Sequence, residues 1–418
     1  MWLTGGTIAA IRIVTLAMRF ALTVYVTAML GLVEVGQLGL VQGLTALIPA
    51  VLGMGFNFHM CRDVVSDDPA SRIAIVRDRM AWTLRVTLGA AVVGLFVVFV
   101  VGSSGITPFL IVAILLAETL AMDAYLALTG LRMNVVANWG VLLRTAAWVP
   151  IAVIGGLADA GLRTLDFVFA CWIIGHAANL AMLCWVLRRR GLWHRWKSDP
   201  PTGWVRSTVP GAMRIWPSDV ALVLIIYGDR FILSATVGEE ALGIYVFFWT
   251  FANMIRTLMQ SAIVTPSLPL LIDLYRKDRG GWLKAVKQLG IAIPATGVAG
   301  SAVLLLLIWL GHRFVPQSNF PWQTGLAVLV FAAVMAGYFG DYLSSVLNSA
   351  GAVGAYAALN IGFAGCLMLA IAAGALLGGV IGATVASLVT ALMFSGLKLA
   401  VIGRVQAPGF TLLRERGP

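Results

Sequence analysis

Charge is scarce in this chain. Only 11% of its 418 residues are Asp, Glu, Lys or Arg, and lysine occurs five times. Soluble domains carry about 25% charged residues, so a water-facing surface cannot be assembled from this sequence. Cysteine is sparse too. Cys171, Cys184 and Cys366 fall in apolar stretches and Cys61 follows one, which excludes a disulfide framework and predicts free thiols. No C-x-x-C or His/Cys cluster offers a metal site, and no G-x-x-x-x-G-K-[ST] loop offers a nucleotide site. Long polar loops are missing as well. The longest on one side runs about 311–322, too short for a catalytic domain outside the membrane, so a membrane-embedded glycan polymerase or transferase is disfavoured.

What is present is apolar length. Hydrophobic residues make up 60% of the chain and mean hydropathy is +0.93. Runs of about 20 apolar residues, enough to cross a bilayer core, recur throughout. They predict an all-α polytopic membrane protein with twelve spans, near 5–31, 38–59, 80–102, 106–129, 133–156, 167–187, 211–237, 241–264, 288–310, 323–348, 354–375 and 379–403. The first carries arginines at its centre and reads as a retained span, not a signal peptide. Even-numbered gaps and both ends hold nineteen basic residues, from Arg62 to Arg416; the other side holds only Arg163 and Arg313. The positive-inside rule therefore places both termini in the cytoplasm. Trp193, Trp196, Trp204 and Trp282 lie in the basic loops, as interfacial anchors do.

The basic segment 188–210 divides six spans from six. It predicts an N-terminal lobe over 1–187, a cytoplasmic linker, and a C-terminal lobe over 211–418. A parallel repeat is consistent with six spans per half. Its one trace is Gly31-x-x-x-x-Gly36 after the first span and Gly238-x-x-x-x-Gly243 after the seventh.

The informative residues are the charges inside spans. Arg12 and Arg19 are seven residues apart, close to two helical turns, so they share a face. A guanidinium in hydrocarbon costs at least roughly 2.5–3.5 kcal/mol. Arg85, Glu118, Asp123, Arg144, Arg214, Asp219, Asp229, Arg230, Arg256, Asp341 and Lys398 complete the set, with Arg85, Arg214 and Lys398 placed to reach an interface. Three polar stripes recur at helical spacing: Arg12, Thr15, Arg19, Thr23; Asn253, Arg256, Thr257, Gln260; and Tyr338, Asp341, Ser345, Asn348. Guanidinium groups hold phosphate bidentately, so Arg12, Arg19 and Arg256, with Arg144, Arg230, Asn253 and Gln260, are the candidate binding residues for an anionic substrate. Asp341 and Asp229 are the candidates for proton or sodium coupling; a salt bridge from Asp341 to one of the arginines stays open. Asp229 and Arg230 point about 100° apart on a helix, which predicts a cross-helix network. His176 reads as a packing histidine. Pro210 and Pro217 open the seventh span, Pro266 and Pro269 close the eighth, and Pro294 sits within the ninth.

The stretch from Tyr227-Gly-Asp-Arg through Leu242-Gly-Ile-Tyr245 joins an Asp deep in one helix to a Leu-Gly-x-Tyr entering the next. With Leu30-Gly31, Gly36, Gly53-Met-Gly-Phe-Asn-Phe-His59 and Leu347-Asn-Ser-Ala-Gly351, it resembles the polysaccharide-transport branch of the multidrug/oligosaccharidyl-lipid/polysaccharide exporter superfamily. The layout resembles that branch end to end, whereas few residues match. Ala352-Val353-Gly354 stands where those proteins often place a basic residue. The resemblance implies two six-helix lobes around a central cationic cavity. It implies a Wzx-type flippase, not an enzyme, moving undecaprenyl-pyrophosphate-linked oligosaccharide across a bacterial inner membrane for O-antigen, capsule or exopolysaccharide assembly. Partners would be that lipid-linked glycan, membrane lipid and polysaccharide polymerase machinery, with no nucleic acid and no cofactor. A monomer is expected. The rival reading is a cation-coupled small-molecule antiporter of the multidrug branch, which would favour carboxylates in its cavity.

Overall fold

The computed structural model describes residues 2–64, 69–101, 105–191, 203–314 and 321–405. All regular structure among them is helical. The helices are α1 (Trp2–Tyr25), α2 (Leu32–Gly53), α3 (Phe56–Asp63), α4 (Pro69–Val101), α5 (Thr107–Gly130), α6 (Asn134–Thr145), α7 (Val149–Ala158) and α8 (Leu165–Arg189). After the basic linker come α9 (Trp204–Val237), α10 (Glu239–Met259), α11 (Thr265–Lys277), α12 (Arg279–Phe314), α13 (Thr324–Ser349) and α14 (Val353–Val405). Single π turns, Val26–Leu30 and Gln260–Val264, follow α1 and α10.

Among the described residues, eleven helical segments are long and apolar enough to cross a membrane. The last, α14, contains two crossings. At 53 residues a straight helix would reach about 80 Å, against roughly 30 Å of hydrocarbon. Gly378 (φ −145°) and Gly379 (φ +59°) leave the helical region and fold it into a hairpin. A Cβ on either Gly374 or Gly382 would run into the other's backbone carbonyl, so only glycine lets the arms meet this closely. Further along the arms Phe363 meets Phe394, ring centroids 5.1 Å apart. The expected break at this Gly pair is therefore where the chain turns, and the twelve crossings stand. The apolar outer faces are bare: Leu377 is 89% exposed and Phe99 83%. That is the pattern of a surface solvated by lipid, and the protein is a multi-pass membrane protein.

Several helices outrun the spans read from hydropathy. The third starts at Pro69 instead of residue 80, the seventh at Trp204 instead of 211, and the ninth at Arg279 instead of 288. Hydropathy marks only the apolar part, while Arg and Lys continue a helix well. Pro210 and Pro217 thus lie inside α9. Pro266 and Pro269 do not end the eighth span either. The π turn Gln260–Val264 precedes them and the helix continues as α11 to Lys277. A π turn re-aims the following turn, and Pro266 occupies the first turn of α11, where its missing N–H costs little.

The chain forms two compact units. One comprises Met1–Glu34 with Leu38–Val223; the other comprises Val35–Gln37 with Leu224–Pro418. In the first, α5 packs against α4, α6 and α8, and α1 packs against α6 and α7. Phe56, Met60, Val76, Trp204 and Ala212 anchor one of its cores. The fifth crossing is broken between α6 and α7. Pro150 begins the second piece, and the Trp148 indole donates to the Arg144 carbonyl at 3.2 Å. In the second unit, α13 lies against both arms of α14 and against α10 and α12. Its core includes Phe247, Phe248, Phe251, Phe331 and Leu347. Gly31 (φ +128°) and Gly238 (φ +87°) each begin a helix in a left-handed conformation, so the paired glycine motifs share a local role. Cys171, Cys184 and Cys366 are free thiols.

Candidate functional site

The first unit gathers three of the expected arginines at the α1–α6 contact. Arg12 is exposed, and its Nε donates to Asn138 Oδ1 at 3.3 Å. Arg19, two turns on, is half-buried and within electrostatic range of Arg144. Among the described residues neither Arg12 nor Arg19 is paired with a carboxylate. The threonines of that stripe do not join them. Thr15 and Thr23 are buried, and their hydroxyls donate back to the Ile11 and Arg19 carbonyls. The polar face of α1 is therefore its arginines.

Arg144 is different. It is 6% exposed and ion-paired with Glu118, whose other oxygen faces His176 Nε2 at 3.4 Å. An arginine already neutralised is a weak anchor for a substrate anion. His176 is the flank of a buried ion pair as well as a packing residue.

Arg79 falls just ahead of the third apolar run and counts among the nineteen basic gap residues; it is fully buried on α4. It pairs with Asp123 at 2.8 Å, donates to the Gly53 carbonyl at 3.2 Å and lies over the Phe56 ring. Thr83, one turn on, also donates to Asp123. The reason for the miss is the helix start at Pro69, which apolar length alone does not reveal.

In the second unit a cavity of about 50 Å³, room for a few water molecules, is lined by Asp229, Tyr245, Arg256, Tyr338 and Asp341 among apolar neighbours. Arg256 and Asp341 are joined at 2.6 Å, with side chains 18% and 30% exposed. The open alternative for Asp341 is thus the one realised: it is the partner of Arg256. Asp229 is buried, accepting from the Tyr245 hydroxyl and from the Arg230 backbone N–H at 2.8 Å. Both its oxygens are engaged. Arg230 is fully buried, its guanidinium 4.2 Å from the Trp249 ring centroid and 4.9 Å from that of Tyr227. Cation–π contacts across α9 and α10 make the expected cross-helix network. Asn253 is half-buried one turn before Arg256, and Gln260 is exposed at the start of the π turn; neither lines the cavity.

Of the three charges expected to reach an interface, Arg85 and Arg214 are exposed. Lys398 is 2% exposed, enclosed by α13 and α14. A lysine stem is long enough to snorkel, yet here three oxygen acceptors hold its head inside.

No protein-family model and no curated protein matches the sequence. Solved structures do. An inward-facing multidrug resistance MATE family transporter of the MOP superfamily aligns over 95% of this chain and 99% of its own, with a TM-score of 0.67 at 12% identity. The lipid II flippase MurJ, in an inward closed conformation, aligns over 96% and 88%, with 0.60 at 11%. A MATE protein in a bent conformation aligns over 96% of each chain, with 0.58 at 14%. The fold is that of these transporters. At such identities the likeness is one of fold, and the chemistry must come from the residues.

Proposed function

We propose that this protein is a flippase carrying a lipid-linked anionic oligosaccharide, of the undecaprenyl-pyrophosphate class, across a bacterial inner membrane by alternating access. The observation that carries the reading is the pair Arg12 and Arg19. Two guanidinium groups sit within a crossing helix with no carboxylate partner among the described residues. A crossing helix keeps such charges when they serve a function, and phosphate-bearing ligands are what guanidinium groups bind best. The lipid II flippase among the fold neighbours supports a lipid-linked cargo. Arg256 would contribute only when Asp341 releases it, which leaves Asp341 as the coupling candidate. An anion leaving a negative interior gains about 2.3 kcal/mol per charge per 100 mV, so export can proceed on the membrane potential. Both termini lie in the cytoplasm in this reading. The glycan would pass on to polymerase machinery outside, and the protein itself performs no covalent chemistry.

The experiment is Arg12→Ala with Arg19→Ala in cells that need this protein for surface polysaccharide. Arg256 is left intact, because its removal would orphan Asp341. Loss of surface glycan, accumulation of lipid-linked repeat units on the inner leaflet and normal protein levels are expected. Normal glycan display in the double variant sinks the reading. A second reading, a cation-coupled small-molecule antiporter, draws on the multidrug fold neighbours and on the carboxylates Asp229 and Asp341 at the second unit's cavity. It predicts efflux of cationic dyes that survives loss of both arginines and fails in Asp341→Asn.

A further inference from the structure

Sequence alone left open which ion, proton or sodium, the protein uses. In the second unit one set of cation-binding oxygens already has an occupant, and it is a side chain. Lys398 lies on the second arm of α14. Its Nζ donates to Ser344 Oγ at 2.7 Å, to the Gly340 carbonyl at 3.1 Å and to Asn360 Oδ1 at 3.2 Å. Three acceptors match the three N–H donors of an ammonium, whereas a neutral amine has only two. None of the acceptors is a carboxylate. The Phe363 ring covers the group, its centroid 5.6 Å from Nζ. The nearby carboxylate, Asp341, acts across space and is itself held by Arg256.

A dehydrated monovalent cation asks for the same surroundings: neutral oxygens in place of its water shell, with an apolar seal. Packing does not call for a charge here. A buried ion costs several kcal/mol of desolvation, and an apolar residue of similar volume often serves stability as well or better. What the ammonium adds is a positive charge shared by three helical segments: α13 through Gly340 and Ser344, the first arm of α14 through Asn360, and the second arm through Lys398 itself.

We infer that Lys398 is a tethered cation. It fills an oxygen site that would otherwise take a soluble monovalent ion, and so the second unit requires neither sodium nor potassium to hold α13 against both arms of α14. The site stands on its own geometry. Only its consequence, transport independent of sodium and potassium, rests on the flippase reading.

The test uses the full-length protein in detergent micelles and reads thermal unfolding in choline, sodium, potassium and ammonium chloride at equal ionic strength. Wild type should melt at one temperature in all four. Lys398→Ala, which empties the oxygen set, should melt several degrees lower in choline and recover in at least one of the small cations. Lys398→Met, which fills the space with an apolar chain, should show no recovery. A wild-type melting temperature that rises in sodium or potassium over choline overturns the inference, and that comparison needs no variant to fold. A Lys398→Ala protein indifferent to the cation overturns it equally. Neither result depends on the arginine experiment, so the site and the flippase reading fail separately.

Discussion

A charge inside a membrane helix is stable only in the company it keeps, and Arg12, Arg79, Arg144 and Arg230 keep different company. Arg144 has Glu118, and removing one member of a buried pair leaves the other uncompensated, at about 3–5 kcal/mol. Glu118→Gln should therefore lower yield and melting temperature sharply, and Glu118→Gln with Arg144→Met should restore both. If the restored double variant still displays surface glycan, Arg144 is a structural residue and leaves the list of substrate contacts. If stability returns without transport, Arg144 contacts the cargo. Arg12→Ala should behave in the opposite way. Its side chain is exposed, so the melting temperature should hold while transport falls. The arginines of α1 were legible in the sequence because charge at the centre of an apolar run has no ordinary explanation. The cage of Lys398 was not. Its acceptors, Ser344 and Asn360, are neutral and lie 54 and 38 residues away in the chain, and no spacing rule links them to a lysine.

Helix ends and bends were read with uneven success, for one reason: hydropathy reports where lipid is, while helices stop where backbone chemistry stops them. The turn at Gly378–Gly379 was visible because paired glycines interrupt an otherwise continuous apolar run. The break between α6 and α7 was not, although Pro150 marks it. The π turn before α11 left no compositional trace, and the prolines beyond it pointed to a stop that does not occur. The hairpin offers a sharp test. Gly374 faces the backbone of Gly382, whereas nothing lies within 4 Å of a Cβ added to Gly365 on the same arm. Gly365→Ala should be neutral or stabilising, since alanine is favoured over glycine in a helix by up to about 1 kcal/mol. Gly374→Ala forces the arms apart and should lower the melting temperature clearly. Equal melting temperatures for the two variants would show that the arms are not held at glycine distance.

At the scale of the whole molecule, the parity of the crossings decides whether the two ends of the chain share a side. Eleven crossings would put the two ends of the chain on opposite sides of the membrane; twelve, with α14 folded back on itself, would put them on the same side, as the proposed function has them. Charge argues for the same arrangement independently. Gaps on one side carry nearly all the basic residues, and the positive-inside rule would keep that side in the cytoplasm. Arg77 and Arg79 are both buried, which removes two from the exposed count without disturbing the bias. Reporters that fluoresce only in the cytoplasm, joined ahead of Trp2 and after Val405, should therefore both be bright. A periplasm-active phosphatase inserted after Gly105 or within 315–320 should be active, and one inserted within 192–202 should be silent. A bright reporter at one end and a dark one at the other would mean that α14 crosses once, and with it the lysine cage, which needs both arms side by side, would be lost.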